Sequence, residues 1–233
     1  MSMNCAIMQP TYLPWSGYFN LISESDIFVF LDDVQFNRRS WQSRNRILLN
    51  GKSFLLTIPT KKKGGDALIN EIEVAHDVKW RNKHLITISR AYANLEYGKE
   101  VLDIVNLTLS KKLDKLLDYN IEIIQTLSNA LGLSPEWKFS SEMNCNFQRS
   151  KKIEYITKQL GCDKYWSPLG SKQYLEEDKA FQSSEINLAY QLFTPREYPQ
   201  NSAEFIASLS IIDVIAHLGI DGTKEYIKTE GVI

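Results

Sequence analysis

Between positions 32 and 46 the chain reads DDVQFNRRSWQSRNR, the segment with the most chemistry in it. Arg38, Arg39, Arg44 and Arg46 fall within nine residues with no lysine among them, interleaved with Trp41, Gln42 and Asn45. A charge run that only solvates a surface is served by lysine. Guanidinium forks bind phosphate or carboxylate through paired hydrogen bonds and stack on flat rings. The pattern therefore points to a nucleotide, a nucleotide sugar or an acyl-adenylate. The competing reading is internal, with Asp32 and Asp33 pairing with these arginines. Adjacent carboxylates also suit magnesium, which takes carboxylates together with substrate phosphates. If a strand runs through them, however, the two point to opposite faces and one is structural.

A second candidate is QPTYLPWSGYF at residues 9–19. It reads either as a stiff entry to a helix with its rings in the core, or as a ligand loop. In the ligand reading Pro10 and Pro14 stiffen the backbone and Gly17 lets it approach closely, while Gln9 and Tyr12 offer hydrogen bonds, with Trp15 and Tyr18 alongside. In WRNKHLITISRAY, a helix would bring Trp80, Lys83 and His84 onto one face. That company makes His84 a candidate general base or phosphate contact, where a lone histidine is more often a packed residue. His76 and His217 lack such neighbours. Ser167, in YWSPLGSKQYL after a short strand, could meet phosphate together with Gly170, Ser171 and Lys172.

These residues need elements to hold them. Residues 4–8 and 27–31 read as short buried strands, and the stretch after Pro14 as a helix with Tyr18, Leu21 and Ile22 on one side. Strand, helix, strand at this spacing is a βαβ unit. In an open parallel sheet ligands gather beyond the carboxyl ends of the strands, which puts residues 9–12 and 32–35, Gln35 included, on one rim. Residues 38–50 are polar and basic, with Trp41 the main large apolar residue, and 53–59 and 69–74 read as further strands. Residues 76–94 read as a helix opened by Asp77, and 101–131 as two helices. Short strands follow near 138–141, 164–167 and 186–193, with helices at 150–160 and at 210–218, the last stopping at Gly219. The fold class is α/β, a mostly parallel Rossmann-like sheet with a helical portion at about residues 77–131, in a single domain over 1–233.

Composition narrows the function. Apolar residues are 43% and charged residues 24%, the balance of a globular protein, and the net charge of −1 argues against general nucleic-acid binding. Apolar stretches are too short for a membrane span, and the opening residues lack the pattern of a secretory signal. Cys5, Cys145 and Cys162 are scattered, which fits free thiols in the cytoplasm better than zinc or a disulfide framework. There is no HExxH, P-loop or GxSxG motif.

Five blocks together resemble the WbqC-like family: QPTYLPWSGYF; FVFLDDVQFNRRSWQSRNRI; W-x-x-K-H at residues 80–84; LG-x-x-x-Y-x-S-x-x-G at 160–170; and LSIIDVI before Gly219. They run in the family's order and span nearly the whole chain. One position departs, because the family commonly has a histidine before the Gln-Pro and this chain has Met8. The resemblance implies surface-polysaccharide (O-antigen) biosynthesis and transfer of an acyl group, such as glycine, to an amino sugar. The partners would then be a nucleotide sugar or another phosphate-bearing small molecule, and an aminoacyl carrier. His84 or Asp32 would take the proton, Gln9 and Asn45 would stabilise an oxyanion, and Arg39 and Arg44 would hold phosphates. Asp33, Gln35, Arg38 and Trp41 complete the expected binding set with Tyr12, Trp15, Tyr18, Lys83 and Ser167. Two alternatives are an ATP-using adenylating enzyme with magnesium at Asp32, and a binding module without catalysis. The one cofactor candidate is magnesium, arriving with a nucleotide.

Overall fold

A computed structural model describes residues 2–76, 79–182 and 184–228. Five short strands, β1 (Asn4–Met8), β2 (Ile27–Phe30), β5 (Glu136–Phe139), β6 (Lys164–Ser167) and β7 (Asn187–Tyr190), form one wholly parallel sheet in the order β5-β2-β1-β6-β7. Counted along the chain, that is the Rossmann arrangement 3-2-1-4-5, and its direction of winding reverses between β1 and β6. Both faces are covered, which is why the central strands read as unbroken apolar runs. Ala6, Phe28, Phe30 and Trp166 face the larger core under α1 (Ser16–Ser23), α4 (Leu116–Ala130) and α7 (Ile211–Tyr226). Cys5, Ile7, Ile27, Val29 and Tyr165 face a smaller core under α5 (Arg149–Gln159) and α6 (Lys172–Glu177).

The excursion from β2 to β5 differs from the expected layout. The basic stretch contains a strand: β3 (Arg44–Leu49) pairs antiparallel with β4 (Lys52–Thr57) in a separate hairpin. Its turn is Asn50-Gly51, both with positive φ (52° and 71°), as a two-residue hairpin turn of the inverted kind requires. Residues 69–74 form no strand but a single 3-10 turn at Ile69–Glu71 with isolated bridges at Val74 and Glu73. The expected helix at 76–94 is α2 (Trp80–Tyr92), and its expected opener, Asp77, lies outside the described residues. The two expected helices at 101–131 are α3 (Gly98–Leu109) and α4, parted at residues 110–115. α6 was not expected at all.

Gly98 opens α3 immediately behind α2, where a side chain would run into the carbonyl oxygen of Tyr92. Gly98→Ala is expected to force the α2–α3 turn apart and lower stability by about 2 kcal/mol. Chemical denaturation checks this, with an unchanged midpoint as the contrary result. Gly219 breaks α7 as expected, at φ 69°, but the helix restarts instead of ending. The Glu100 carboxylate accepts from the Ile220 N–H at 3.0 Å and so supplies the cap for the second half. Ser210 stands at the N-terminus of α7 as expected, yet its hydroxyl makes no cap bond.

Candidate functional site

At the reversal point between β1 and β6 the structure opens a cleft of about 320 Å³. Its floor is apolar, with Ile7, Met8, Leu31, Ile153 and Pro168. Its rim is polar, with Gln9, Thr11, Ser40, Gln42, Ser171 and Tyr174, and Trp41 forms one wall. This is the place that the parallel sheet reserves for ligands, and the lining is the usual mixture of apolar wall and few polar groups.

The loop after β1 is held from all sides. Asn45 Nδ2 donates to the carbonyls of Tyr12 (3.1 Å) and Leu13 (2.9 Å), and Asn120 Nδ2 donates to those of Pro10 (3.1 Å) and Gln42 (2.8 Å). The Tyr12 N–H donates to the Trp41 carbonyl at 3.0 Å, and the Tyr18 hydroxyl to the Gln9 carbonyl at 3.2 Å. These bonds keep Leu13 at φ 44°, a left-handed conformation that a branched residue adopts only under constraint. Asn45, expected at an oxyanion, is thus buried and spends its amide on this loop.

Trp41 is 50% exposed, large and flat, and sits where a ring could stack on it. Arg46 lies over it, 5.7 Å from the ring centroid, and reaches the carbonyls of Ala207 and Ser208. Arg38 donates to the Lys61 carbonyl at 3.3 Å, and Arg44 to the Arg39 carbonyl. Arg39 is exposed and lies two residues before Trp41 in the chain, but it is not among the residues that line the cleft. The arginines therefore do not pair with Asp32 or Asp33, which removes the internal alternative.

The two aspartates do not face apart. β2 ends at Phe30, and the turn that follows brings both carboxylates within hydrogen-bond reach of the one Ser140 hydroxyl, whose single proton they share. Asp32, 2% exposed, also accepts from the Ser141 N–H (3.0 Å), the Ser141 hydroxyl (2.8 Å) and Asn70 Nδ2 (3.4 Å). Asp33 takes an ion pair from buried Lys152 at 2.5 Å. These bonds tie β2 to the turn after β5 and to α5. With its oxygens so occupied, Asp32 does not fit a magnesium ligand. Among the described residues no group of three or more acidic, histidine or cysteine side chains is placed to hold a metal ion.

His84 is buried on the inner side of the first loop. Its Nδ1 stands 2.8 Å from the Tyr12 hydroxyl. Burial lowers its pKa to about 4, with the nearby Thr57 backbone opposing the shift, so the ring is neutral at pH 7. A neutral ring with its proton on the other nitrogen accepts at Nδ1 from Tyr12. His84 therefore joins α2, β4 and the ligand loop. Its expected neighbour Trp80 packs edge-on at 5.1 Å between ring centroids, but Lys83 points to solvent, so the three do not share a face.

The remaining candidates lie apart from the cleft or beneath it. Tyr12 and Tyr18 are buried under the loop; Trp15 packs against Phe193; Gln35 donates to the Gly65 carbonyl; and the Ser167 hydroxyl is turned toward the Pro168 carbonyl. Of the lining residues, Ser171 was expected as a phosphate contact, Thr11 lay within the expected rim at residues 9–12 and Gln42 stood among the arginines, whereas Tyr174 was missed. No helix among the described residues is long and apolar enough to cross a membrane. No solved structure matches the chain. It is similar to Rv1507c, an uncharacterized protein of Mycobacterium tuberculosis, with 24% identity over 225 residues covering 96% of each chain. Residues 9–225 match the WbqC-like protein family, a span that includes both loops of the cleft, and the chain belongs to that family.

Proposed function

We propose that the chain is a transferase that acylates the amino group of an activated amino sugar in the cleft beside Trp41, in surface-polysaccharide biosynthesis. The observation that carries this reading is the cleft at the reversal point, walled by a half-exposed indole, with the exposed Arg39 two residues before that indole in the chain. The indole would take a nucleobase or sugar face, and the guanidinium a phosphate of a nucleotide sugar. An aminoacyl carrier would bring the acyl group, glycine among the candidates.

Among the described residues the lining holds no carboxylate and no imidazole. In this reading the amino sugar reacts as the free amine, its ammonium proton lost to solvent. The C–N bond to the activated acyl group forms, the acyl–carrier bond breaks, and the proton released from nitrogen leaves with the carrier group, while the protein contributes chiefly position and hydrogen-bond donors. His84 and Asp32 serve by fixing the two loops. An adenylating reaction asks for magnesium on a carboxylate that Ser140, Ser141 and Asn70 already occupy.

Arg39→Ala is expected to weaken nucleotide-sugar binding by about 1–3 kcal/mol, the scale of a charge-assisted contact. A titration followed by indole fluorescence measures it, alongside a thermal-shift panel of nucleotides and nucleotide sugars with and without magnesium. Affinity untouched in folded Arg39→Ala removes the arginine from the site. A shift with ATP that needs magnesium turns the assignment to adenylation. Binding without turnover, when an acyl donor is supplied, leaves a binding module.

A further inference from the structure

Every hydroxyl on the rim of the cleft can rotate to donate or accept, but Gln9 cannot, and its polarity follows from a single backbone group. The Asn37 N–H donates at 2.8 Å to the side-chain amide of Gln42. A backbone N–H has no other role available, so the atom that receives it must be Gln42 Oε1. The other end of that amide, Nε2, then faces Gln9 at 2.8 Å, and the Gln9 atom it meets must be Oε1. What Gln9 presents to the cleft is therefore its NH2 group, with two donors and no acceptor for them among the described residues. This chain of reasoning is free of the usual ambiguity in placing the oxygen and nitrogen of an amide, since its first link has only one sense.

Gln42 itself is 2% exposed and firmly placed, because the Asn120 amide holds its backbone carbonyl at 2.8 Å. It does not need to touch a ligand to act. We infer that Gln42 is a positioning residue that locks Gln9 as a donor, so that the cleft selects at this point an oxygen acceptor, a phosphate or a carbonyl, and rejects a donor. The inference rests on the reading of the cleft as the ligand site.

Gln42→Glu tests it by reversal. The glutamate is close in shape and keeps one oxygen for the Asn37 N–H, but its second oxygen can only accept. Gln9 must then turn its NH2 toward residue 42 and present Oε1 to the cleft. With UDP as the probe, read by indole fluorescence, Gln42→Glu is expected to bind at least tenfold more weakly. In a Gln9→Leu background the same substitution is expected to add little, because the group through which it acts is gone. Uridine and inorganic pyrophosphate, tested separately, distinguish carbonyl from phosphate as the acceptor by which of them shares the loss. Gln42→Leu, which frees Gln9 without burying a charge, is expected to cost a few-fold and covers the case in which the glutamate variant does not fold.

Side-chain amide hydrogen exchange in the free protein decides the polarity without any ligand. Gln42 should be protected and Gln9 open in the native chain, with Gln9 becoming protected in Gln42→Glu. Open exchange at Gln42, or losses that multiply in the double variant, overturns the inference while leaving the cleft as the site. No quenching by any of the three probes, with the exchange pattern as expected, instead overturns the cleft as a nucleotide site and keeps the locked amide.

Discussion

Replacing Asp213 with alanine is expected to lower the unfolding free energy by about 3–5 kcal/mol, the scale of leaving a buried hydrogen-bonded network without its charged centre. Asp213 is fully buried on α7. It accepts from the hydroxyls of Tyr92 (2.9 Å) and Tyr198 (2.6 Å) and from Gln200 Nε2 (3.2 Å). Burial pushes its pKa up, against the pull of these donors and of His217. Truncation strands all three donors, and Tyr92 matters most because its hydroxyl also receives the Leu48 N–H of β3 at 3.2 Å. The damage should therefore spread to the hairpin that carries Asn45. Asp213→Asn keeps one acceptor and should cost about 1–2 kcal/mol. Urea denaturation of the three proteins at one pH makes the comparison. A loss below about 1 kcal/mol in the alanine variant would show that water or a shifted neighbour replaces the carboxylate.

The second large effect is a dependence on pH. His84 ionises near 6.5 in an unfolded chain and near 4 in the fold. Between those values the unfolded chain binds the proton and the folded one does not, so acid favours unfolding. The stability that the neutral ring confers is complete above about pH 6.5, falls as the pH drops, and levels off below about 4. Over that window the loss is about 3 kcal/mol. Asp213 acts in the opposite sense: its raised pKa favours the protonated fold, so its contribution rises as the pH falls. Comparing the native protein with His84→Gln isolates the histidine, since glutamine can still accept from Tyr12 and does not titrate. The difference in stability between the two should shrink or change sign by about 3 kcal/mol from pH 7 to pH 4. Parallel pH profiles would mean that the ring opens to water and titrates near its ordinary value.

Much of the sheet was legible because its strands are buried on both faces. Residues 4–8, 27–30 and 164–167 are short apolar or aromatic runs stopped by polar residues or proline, and such runs have few other places to go. β3 was hidden because RNRILL begins with two arginines and an asparagine that work in the structure as loop anchors and ring partners. The better signal lay beyond it, in Asn50-Gly51. The rim at Gln9 and Asp32 was also legible, as a consequence of parallel strands. What those residues do there was not, because it depends on contacts far apart in the chain. Ser140 reaches Asp32 across 108 positions, and His84 meets Tyr12 across 72. Helical spacing correctly put Trp80 and His84 together, but it could not say that their face was turned inward.

The position of β1 in the sheet bears on how the chain comes to be folded. It precedes the other strands of the sheet in the chain and lies in the middle, with β2 on one edge soon afterwards, yet its other edge is closed only by β6, at Asn4↔Lys164. A nascent chain leaving the ribosome therefore carries an apolar strand with one edge unpaired until synthesis has passed residue 164. Such edges invite pairing with other chains, and distant pairings make folding slow. A truncation before residue 164 removes β6 and β7 together and exposes the centre of the sheet, so fragments ending there should aggregate rather than fold.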